Sequence, residues 1–157
     1  MSSVLPADRP SVSSEASASE PLHAEVLALF DRMYGGYLEG DSGRIDSLLA
    51  PEFTMFDSAA RELVVGFEEL ASLRAARGPR NPDIVESALI VDELRVFERD
   101  QDVLACFMLE VRMSDAIGTP LESERSRTTA WLARRGGALV IRHLHEDVYQ
   151  VGGAPIS

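Results

Sequence analysis

The sequence contains no lysine, and its 15 basic residues are all arginine. A lysine Schiff base and a lysine general base are therefore excluded as catalytic devices. Acidic residues number 26, so the formal net charge at pH 7 is -11. Nucleic acids and anionic membrane surfaces are bound through basic faces, and this acidic composition predicts neither as a partner.

The chain also has little cysteine and no long apolar run. Cys106 is the single cysteine and lies in an apolar stretch, so it cannot form an internal disulfide, and nothing indicates an oxidising compartment. No stretch approaches the roughly 18 apolar residues that a membrane helix requires. The first residues lack the positive patch and apolar run of a secretory signal. We therefore expect a cytoplasmic protein.

The length of 157 residues predicts one domain with a core of its own. Residues 1–20 contain seven serines and two prolines but few large apolar side chains, a composition that predicts a disordered tail. We place the single domain at residues 21–151 and a short C-terminal tail at residues 152–157.

Apolar residues at helical spacing predict a long first helix over residues 22–37. Ser19 is the expected N-cap of this helix, and Gly40 is the residue that ends it. A short second helix is expected over residues 41–49 and a third over about residues 67–76.

The remaining apolar runs predict strands. A first strand is expected at 53–57, and four long strands are expected at 84–98, 102–114, 122–134 and 138–150. Helices followed by consecutive strands are typical of α+β architecture, in which the helices cover one side of a curved antiparallel sheet.

The strand predicted at residues 102–114 has two unlike faces. Its odd positions are apolar throughout, which predicts a core face. Its even positions are apolar at first, at Leu104, Cys106 and Met108, and turn polar at Glu110. An apolar patch on the outer side of a sheet indicates a partner, and we therefore expect a homodimer.

Two strand-like runs flank Gly136-Gly137 and predict a hairpin. With a two-residue turn, the odd positions of the first strand share a face with the even positions of the second. That face contains Arg125, Arg127, Thr129, Trp131, Val140, Arg142, Leu144 and Glu146. The opposite face contains His143 and His145. A bulge at the glycines would exchange the two faces, and the sequence leaves both arrangements open.

The order and spacing of four motifs resemble one known superfamily. The motifs are Tyr-Leu-Glu-Gly-Asp at 37–41, Leu-Leu-Ala-Pro-Glu-Phe-Thr-Met-Phe-Asp at 48–57, Gly-Phe-Glu-Glu-Leu at 66–70, and Arg-x-Thr-x-Trp with Gly-Ala-Leu-Val-Ile-Arg-His-x-His in the hairpin. Over residues 22–149 the chain resembles the nuclear transport factor 2-like superfamily, in its SnoaL-like and ketosteroid-isomerase-like branch. This resemblance implies a cone, in which a bent sheet wraps round a long helix and a deep pocket opens at one end.

The resemblance also implies an enzyme that acts on a small organic molecule, polyketide-like or steroid-like, in the cone pocket. Isomerases, cyclases and dehydratases of this kind use acid–base chemistry and no cofactor. Asp57 falls at the position of the ketosteroid isomerase base, whereas Met33 and Thr129 replace the two oxyanion donors. We therefore expect a reaction other than steroid isomerisation, with Tyr37 or Tyr34 as the substitute donor.

The same resemblance puts the arginine face of the hairpin inside the cone. Arg127 and Arg142 would bind a carboxylate or another anion there, with Thr129 and Trp131 in the pocket wall. Cross-strand ion pairs with Glu146 are the alternative role for these arginines.

Other residues also have two interpretations. Asp57 either transfers protons or caps the turn Asp-Ser-Ala-Ala that follows it. His143 and His145 need a further ligand to hold a metal, so no metal site is predicted, and they are expected to act in acid–base chemistry or at an interface. The second candidate function is a non-catalytic ligand-binding or oligomerisation module with an arginine-lined pocket, similar to the association domain of calcium/calmodulin-dependent protein kinase II.

Overall fold

The structure is a computed structural model and describes residues 19–157. The predicted disordered tail, apart from its last two residues, lies outside the described residues. In chain order the elements are α1 (Glu20–Glu39), α2 (Ser42–Asp46), β1 (Leu49–Phe56), β2 (Val64–Val65), α3 (Gly66–Arg77), β3 (Val85–Arg99), β4 (Asp102–Ser114), β5 (Pro120–Arg135) and β6 (Ala138–Gln150). This is the predicted α+β order.

The predicted residues cap both ends of α1. The Ser19 hydroxyl accepts a hydrogen bond from the backbone N–H of Leu22 at 3.4 Å. Gly40 follows the last turn in the left-handed conformation, with φ of 71°. Glycine adopts this conformation without the steric penalty that a Cβ atom brings. The long first helix is therefore confirmed, and it begins at Glu20, the last residue of the predicted tail.

The second helix is shorter and the first strand longer than predicted. α2 ends at Asp46, and β1 begins at Leu49. The cause is pairing with the last strand, because the backbone N–H of Ile141 donates to the carbonyl oxygen of Leu48 at 2.8 Å. Pro51 is tolerated within β1 because the register between β1 and β6 is irregular at this point.

The six strands form one sheet in the order β2-β1-β6-β5-β4-β3. Neighbouring strands are antiparallel, except that β1 and β6 run parallel. Register shifts interrupt the β3–β4, β4–β5 and β5–β6 pairs, and bulges of this kind bend a sheet. The sheet consequently curves round α1. The largest fully buried side chains of the core are Val26, Phe30, Phe53, Leu132 and Ile141.

β4 has the two faces that its sequence predicts. Five odd positions are buried, and Phe107 among them packs on Phe30 of α1 with 4.7 Å between the ring centroids. The even positions Leu104, Cys106 and Met108 are only partly buried. The side that packs on α1 is the inner face of the sheet, and the opposite side is its outer face.

The β5–β6 hairpin has the predicted two-residue turn and regular pairing next to it. Leu132 pairs with Ile141, but Trp131 pairs with His143, so Arg142 is an extra residue in β6. Beyond this bulge, the residues of β6 that face inward change from odd to even positions.

The bulge produces faces that differ from both predicted arrangements. The inner face contains Ser126, Thr128, Ala130 and Leu132 of β5, followed by Leu144 and Glu146 of β6. Arg127, Thr129 and Trp131 lie on the outer face. The expectation that the arginine face lies inside the cone is therefore wrong for Arg127, Thr129 and Trp131, because the even positions of β5 face inward. Leu144 and Glu146 of the same predicted face do lie inside, because the parity of β6 changes at Arg142 and not at the turn.

The C-terminal segment pairs with the beginning of β5. The backbone N–H of Gly153 donates to the carbonyl oxygen of Glu122 at 2.9 Å. The N–H of Glu122 in turn donates to the carbonyl oxygen of Ala154 at 2.8 Å. A further bridge joins Leu121 to Pro155. The segment predicted as a tail is thus attached to the sheet. Among residues 19–157, no helix is long and apolar enough to cross a membrane.

The close approach of this segment predicts that Gly152→Ala destabilises the protein. An added Cβ would lie 2.5 Å from the backbone nitrogen of Glu124 and 2.8 Å from the carbonyl oxygen of Glu122. Backbone atoms cannot move aside as a flexible side chain can, so we expect a loss of about 1–3 kcal/mol in urea unfolding. Gly35→Ala is the control, since its Cβ meets only the Arg44 side chain at 3.5 Å within a helix. Gly35→Ala should stabilise the protein by about 0.5–1 kcal/mol. Equal urea midpoints of unfolding for the two variants would contradict the prediction.

Candidate functional site

The curved sheet encloses a cavity of about 420 Å³ between its inner face and the three helices. Apolar side chains form much of the wall: Met33, Ile45, Met55, Leu70, Leu89, Leu109, Val111 and Leu144. Polar side chains project among them: Tyr34, Tyr37, Asp57, Ser58, Arg74, Arg77, Glu86, Glu124, Ser126 and Glu146. An apolar cavity with a few convergent polar groups is typical of a small-molecule site.

Tyr34 and Glu146 join α1 to β6 in the cavity wall. The Tyr34 hydroxyl donates a hydrogen bond to Oε1 of Glu146 at 2.8 Å. The Tyr34 ring is buried against Phe30 and Phe107, with 6.3 Å between centroids in each case. Because the ring is packed on two sides, the hydroxyl holds the Glu146 carboxyl at a defined position.

Burial raises the pKa of the Glu146 carboxyl above its ordinary value. The nearby negative charge of Asp57 raises it further, whereas the hydrogen bond from Tyr34 lowers it. Burial and the Glu146 charge also raise the pKa of the Tyr34 hydroxyl, so this tyrosine stays protonated at neutral pH. A carboxyl with a raised pKa, held inside a cavity, is suited to proton transfer.

Asp57 lines the cavity as well, but both of its oxygens have partners. Oδ2 forms an ion pair with Arg77 of α3. Oδ1 accepts a hydrogen bond from the backbone N–H of Ala59 at 2.8 Å, which confirms the predicted turn cap. Its arginine partner comes from α3 and not from the hairpin.

Tyr37 lies one helical turn from Tyr34 and also reaches the cavity. Burial and the neighbouring Glu86 carboxyl raise the pKa of Tyr37 to about 12. The Arg80 guanidinium lies over the Tyr37 ring, 4.6 Å from its centroid, and donates to the Tyr37 carbonyl oxygen at 2.9 Å. The Tyr37 hydroxyl is therefore a protonated donor at neutral pH.

The other predicted ligand-binding residues lie outside the cavity, on the outer face. Arg127 forms an ion pair with Asp147 at 2.5 Å. The Arg142 guanidinium lies 4.1 Å from the centroid of the Trp131 ring, which is 41% exposed. Thr129 is exposed. None of these residues lines the cavity, so the predicted anion site of the hairpin is not formed there.

His143 and His145 also lie on the outer face, next to β1. Nδ1 of His143 is 2.7 Å from the Thr54 hydroxyl, and the His145 ring lies 5.2 Å from that of Phe56. Burial, together with the charge of His145, lowers the pKa of His143. Within residues 19–157, no three His, Cys, Asp or Glu side chains are grouped so as to hold a metal ion.

Glu86 and Glu124 were not predicted as cavity residues. The resemblance placed Glu146 inside the cone, but on one face with the arginines of β5, and the bulge that separates it from them has no marker such as glycine. One signal was available: if Leu144 is taken as a core residue, strand alternation places Glu146 on the same inner face.

No protein-family model and no curated protein matches the sequence. Solved structures do match. ActVI-ORFA from Streptomyces coelicolor has a TM-score of 0.72 and 16% identity, over 83% of this chain and 99% of that one. A Catenulispora acidiphila protein in complex with S-DNPA has a TM-score of 0.68 and 20% identity, over 83% of this chain and 95% of that one.

The hub of CaMKII from S. rosetta is also similar, with a TM-score of 0.64 and 17% identity over 80% of this chain and 95% of the hub. At such identities the likeness shows the fold alone. The fold is the cone of the nuclear transport factor 2-like superfamily, as the sequence motifs imply.

The raised pKa of Glu146 predicts a pH dependence of stability. The folded protein binds the Glu146 proton more tightly than the unfolded chain does, in which the group titrates near its ordinary value of 4.5. The stability from this group is therefore complete below about pH 4.5 and is lost as the pH rises through the folded-state pKa. Glu146→Gln stays neutral, so its free energy of unfolding should rise relative to wild type over that range in urea titrations. Glu122→Gln, at an exposed position, is the control. If the free energies of unfolding of Glu146→Gln and wild type differed by the same amount at every pH, the raised pKa of Glu146 would be refuted.

Proposed function

We propose that this chain, which has the nuclear transport factor 2-like fold, binds a small polyketide-like or steroid-like molecule in its cavity and transfers a proton within it. The reaction class is a cofactor-independent isomerisation, cyclisation or dehydration. The observation that carries the proposal is the partly buried Glu146 carboxyl, held by Tyr34 in the wall of a mostly apolar cavity.

Glu146 acts as the proton acceptor and donor. Tyr34 engages Oε1, which leaves Oε2 to take a proton from a carbon or hydroxyl group of the bound molecule. Burial of the carboxyl raises its pKa and so makes it a stronger base once ionised. Tyr34 is a positioning residue, since it acts through Glu146.

Tyr37 is the donor that stabilises the oxygen on which negative charge develops. Its hydroxyl is protonated at neutral pH and lies in the same cavity wall. A fixed hydrogen bond to a developing oxyanion is a large contribution to catalysis. Arg77, held in place by Asp57, adds a positive charge nearby.

A non-catalytic ligand-binding module is the second candidate function. It is favoured by one observation, that both oxygens of Asp57 already have partners. The arginines of such a cavity would be Arg74 and Arg77 of α3, in place of those of the hairpin.

Deuterium exchange tests whether Glu146 moves protons. Wild type and variants are incubated in D2O with 2-tetralone and with androstenedione, and exchange of the α-hydrogens is followed by NMR. We expect wild type to accelerate exchange and Glu146→Gln to lower the acceleration by about 10²–10⁴-fold. Tyr34→Phe should retain partial activity with its pH profile moved to higher pH, because the hydrogen bond that lowers the pKa of Glu146 is lost.

Asp57→Asn is the matched comparison, because Asp57 lines the same cavity. Loss of exchange in Asp57→Asn but not in Glu146→Gln would identify Asp57 as the base and overturn the role of Glu146. Binding of the probes without acceleration by wild type would favour the second candidate function.

We also infer that the outer face of the sheet binds a second copy of the chain. Leu104, Cys106 and Met108 of β4 form an apolar strip that no element of the described chain covers, and the exposed Trp131 pairs with Leu104 beside it. Exposed apolar surface of this kind marks a protein interface.

The dimer is tested by sedimentation of Met108→Arg. A buried unpaired guanidinium opposes association, so this variant should sediment as a monomer where wild type sediments as a dimer. Ile117→Arg is the control, because Ile117 is an exposed apolar residue in the turn after β4. A monomeric wild type, or a dimeric Met108→Arg, would show that this face is not the interface.

A further inference from the structure

The cavity wall carries more carboxyls than cations. Two arginines line it, and each is held by an aspartate: Arg74 by Asp46 at 2.8 and 3.1 Å, and Arg77 by Asp57. Because these pairs are formed within the protein, the charge of each arginine is largely compensated before a ligand binds.

Three carboxyls of the wall, Glu86, Glu124 and Glu146, form no ion pair with any arginine of the described chain. Burial and the charge of Glu86 raise the pKa of Glu124, just as burial raises that of Glu146. The carboxyls thus repel one another inside a partly desolvated space, and a cation placed among them would relieve that repulsion.

The remaining wall determines what kind of cation fits. Met33, Leu70, Leu109 and Leu144 are apolar and suit a hydrocarbon ring or chain. Within residues 19–157 no three side chains are grouped so as to hold a metal ion. A hydrated inorganic cation would leave this apolar surface without a partner.

We propose that the cavity selects an organic cation, an apolar body that carries a protonated nitrogen whose N–H groups donate to the carboxyls of Glu86, Glu124 and Glu146. The proposal rests on the cavity being a binding site for a small molecule, as proposed above. It does not depend on proton transfer by Glu146, because the same recognition would serve a module that only binds.

Three probes of one shape and different charge test the proposal by isothermal titration calorimetry at pH 7. They are 2-naphthylmethylamine, which is protonated, 2-naphthylmethanol, which is neutral, and 2-naphthoate, which is an anion. We expect the amine to bind at least about tenfold more tightly than the alcohol, and the anion to bind most weakly. The preference for the amine should weaken as salt is added.

Glu124→Gln and Glu122→Gln form the matched pair of variants. Both replace one carboxylate oxygen of a β5 glutamate by an amide nitrogen, but only Glu124 lines the cavity. The preference for the amine over the alcohol should fall to about twofold or less in Glu124→Gln and stay unchanged in Glu122→Gln. Circular dichroism of both variants shows that they are folded.

The proposal is overturned if the alcohol or the anion binds as tightly as the amine, if no amine binding is detected at millimolar concentration, or if the two variants behave alike. These outcomes differ from a failure of the proton-transfer function. Exchange in neutral ketones that depends on Glu146 would stand even if the amine showed no preference, and tight amine binding would stand even if no exchange were observed.

Discussion

The extra residue at Arg142 in β6 is the constraint on which the cavity depends. Regular pairing with β5 would turn His145 inward and Glu146 outward. The bulge is held from the outer face, where the guanidinium of Arg142 lies over the Trp131 ring, a contact typically worth about 0.5–2 kcal/mol. Its Nε lies 3.7 Å from a carboxylate oxygen of Glu52 in β1. Arg142 and Trp131 on the outer face thereby determine that Glu146, and not His145, reaches the inner face.

The acidic composition has a direct consequence in the cavity. Eleven more acidic than basic residues are present, and many of the arginines form ion pairs on the surface. The planar guanidinium suits such pairing because it engages both oxygens of a carboxylate, as Arg74 does with Asp46. Few positive charges then remain for the interior: Arg74 and Arg77 line the cavity but pair with aspartates, and Glu86, Glu124 and Glu146 line it without an ion pair to any described residue.

Local periodicity of apolar residues predicted the helices and strands. The faces of the hairpin depend on pairing between strands that are distant in sequence, which periodicity does not encode. The first helix and the faces of β4 follow from the spacing of their apolar residues, and Ser19 and Gly40 follow from capping chemistry. Tyr37 and Asp57 were placed in the site by resemblance to a family, and they do line the cavity. The faces of the hairpin were wrong because parity was counted from the turn, whereas the bulge at Arg142 depends on contacts with β1 and β5.

The parallel pair of β1 and β6 joins residues far apart in sequence. Thr54 and His143, which are in contact across it, are separated by 89 positions along the chain. We expect contacts of such long range to form late in folding, because the entropy of closing a large loop is lost before the contacts stabilise the chain. Until β6 docks, β1 keeps an open edge and the wall lacks Glu146. On the ribosome β6 is made after the helices and the rest of the sheet, so the cavity cannot form before β6 has been synthesised. A chain shortened before β6 would present an unpaired strand edge, which is a surface for aggregation.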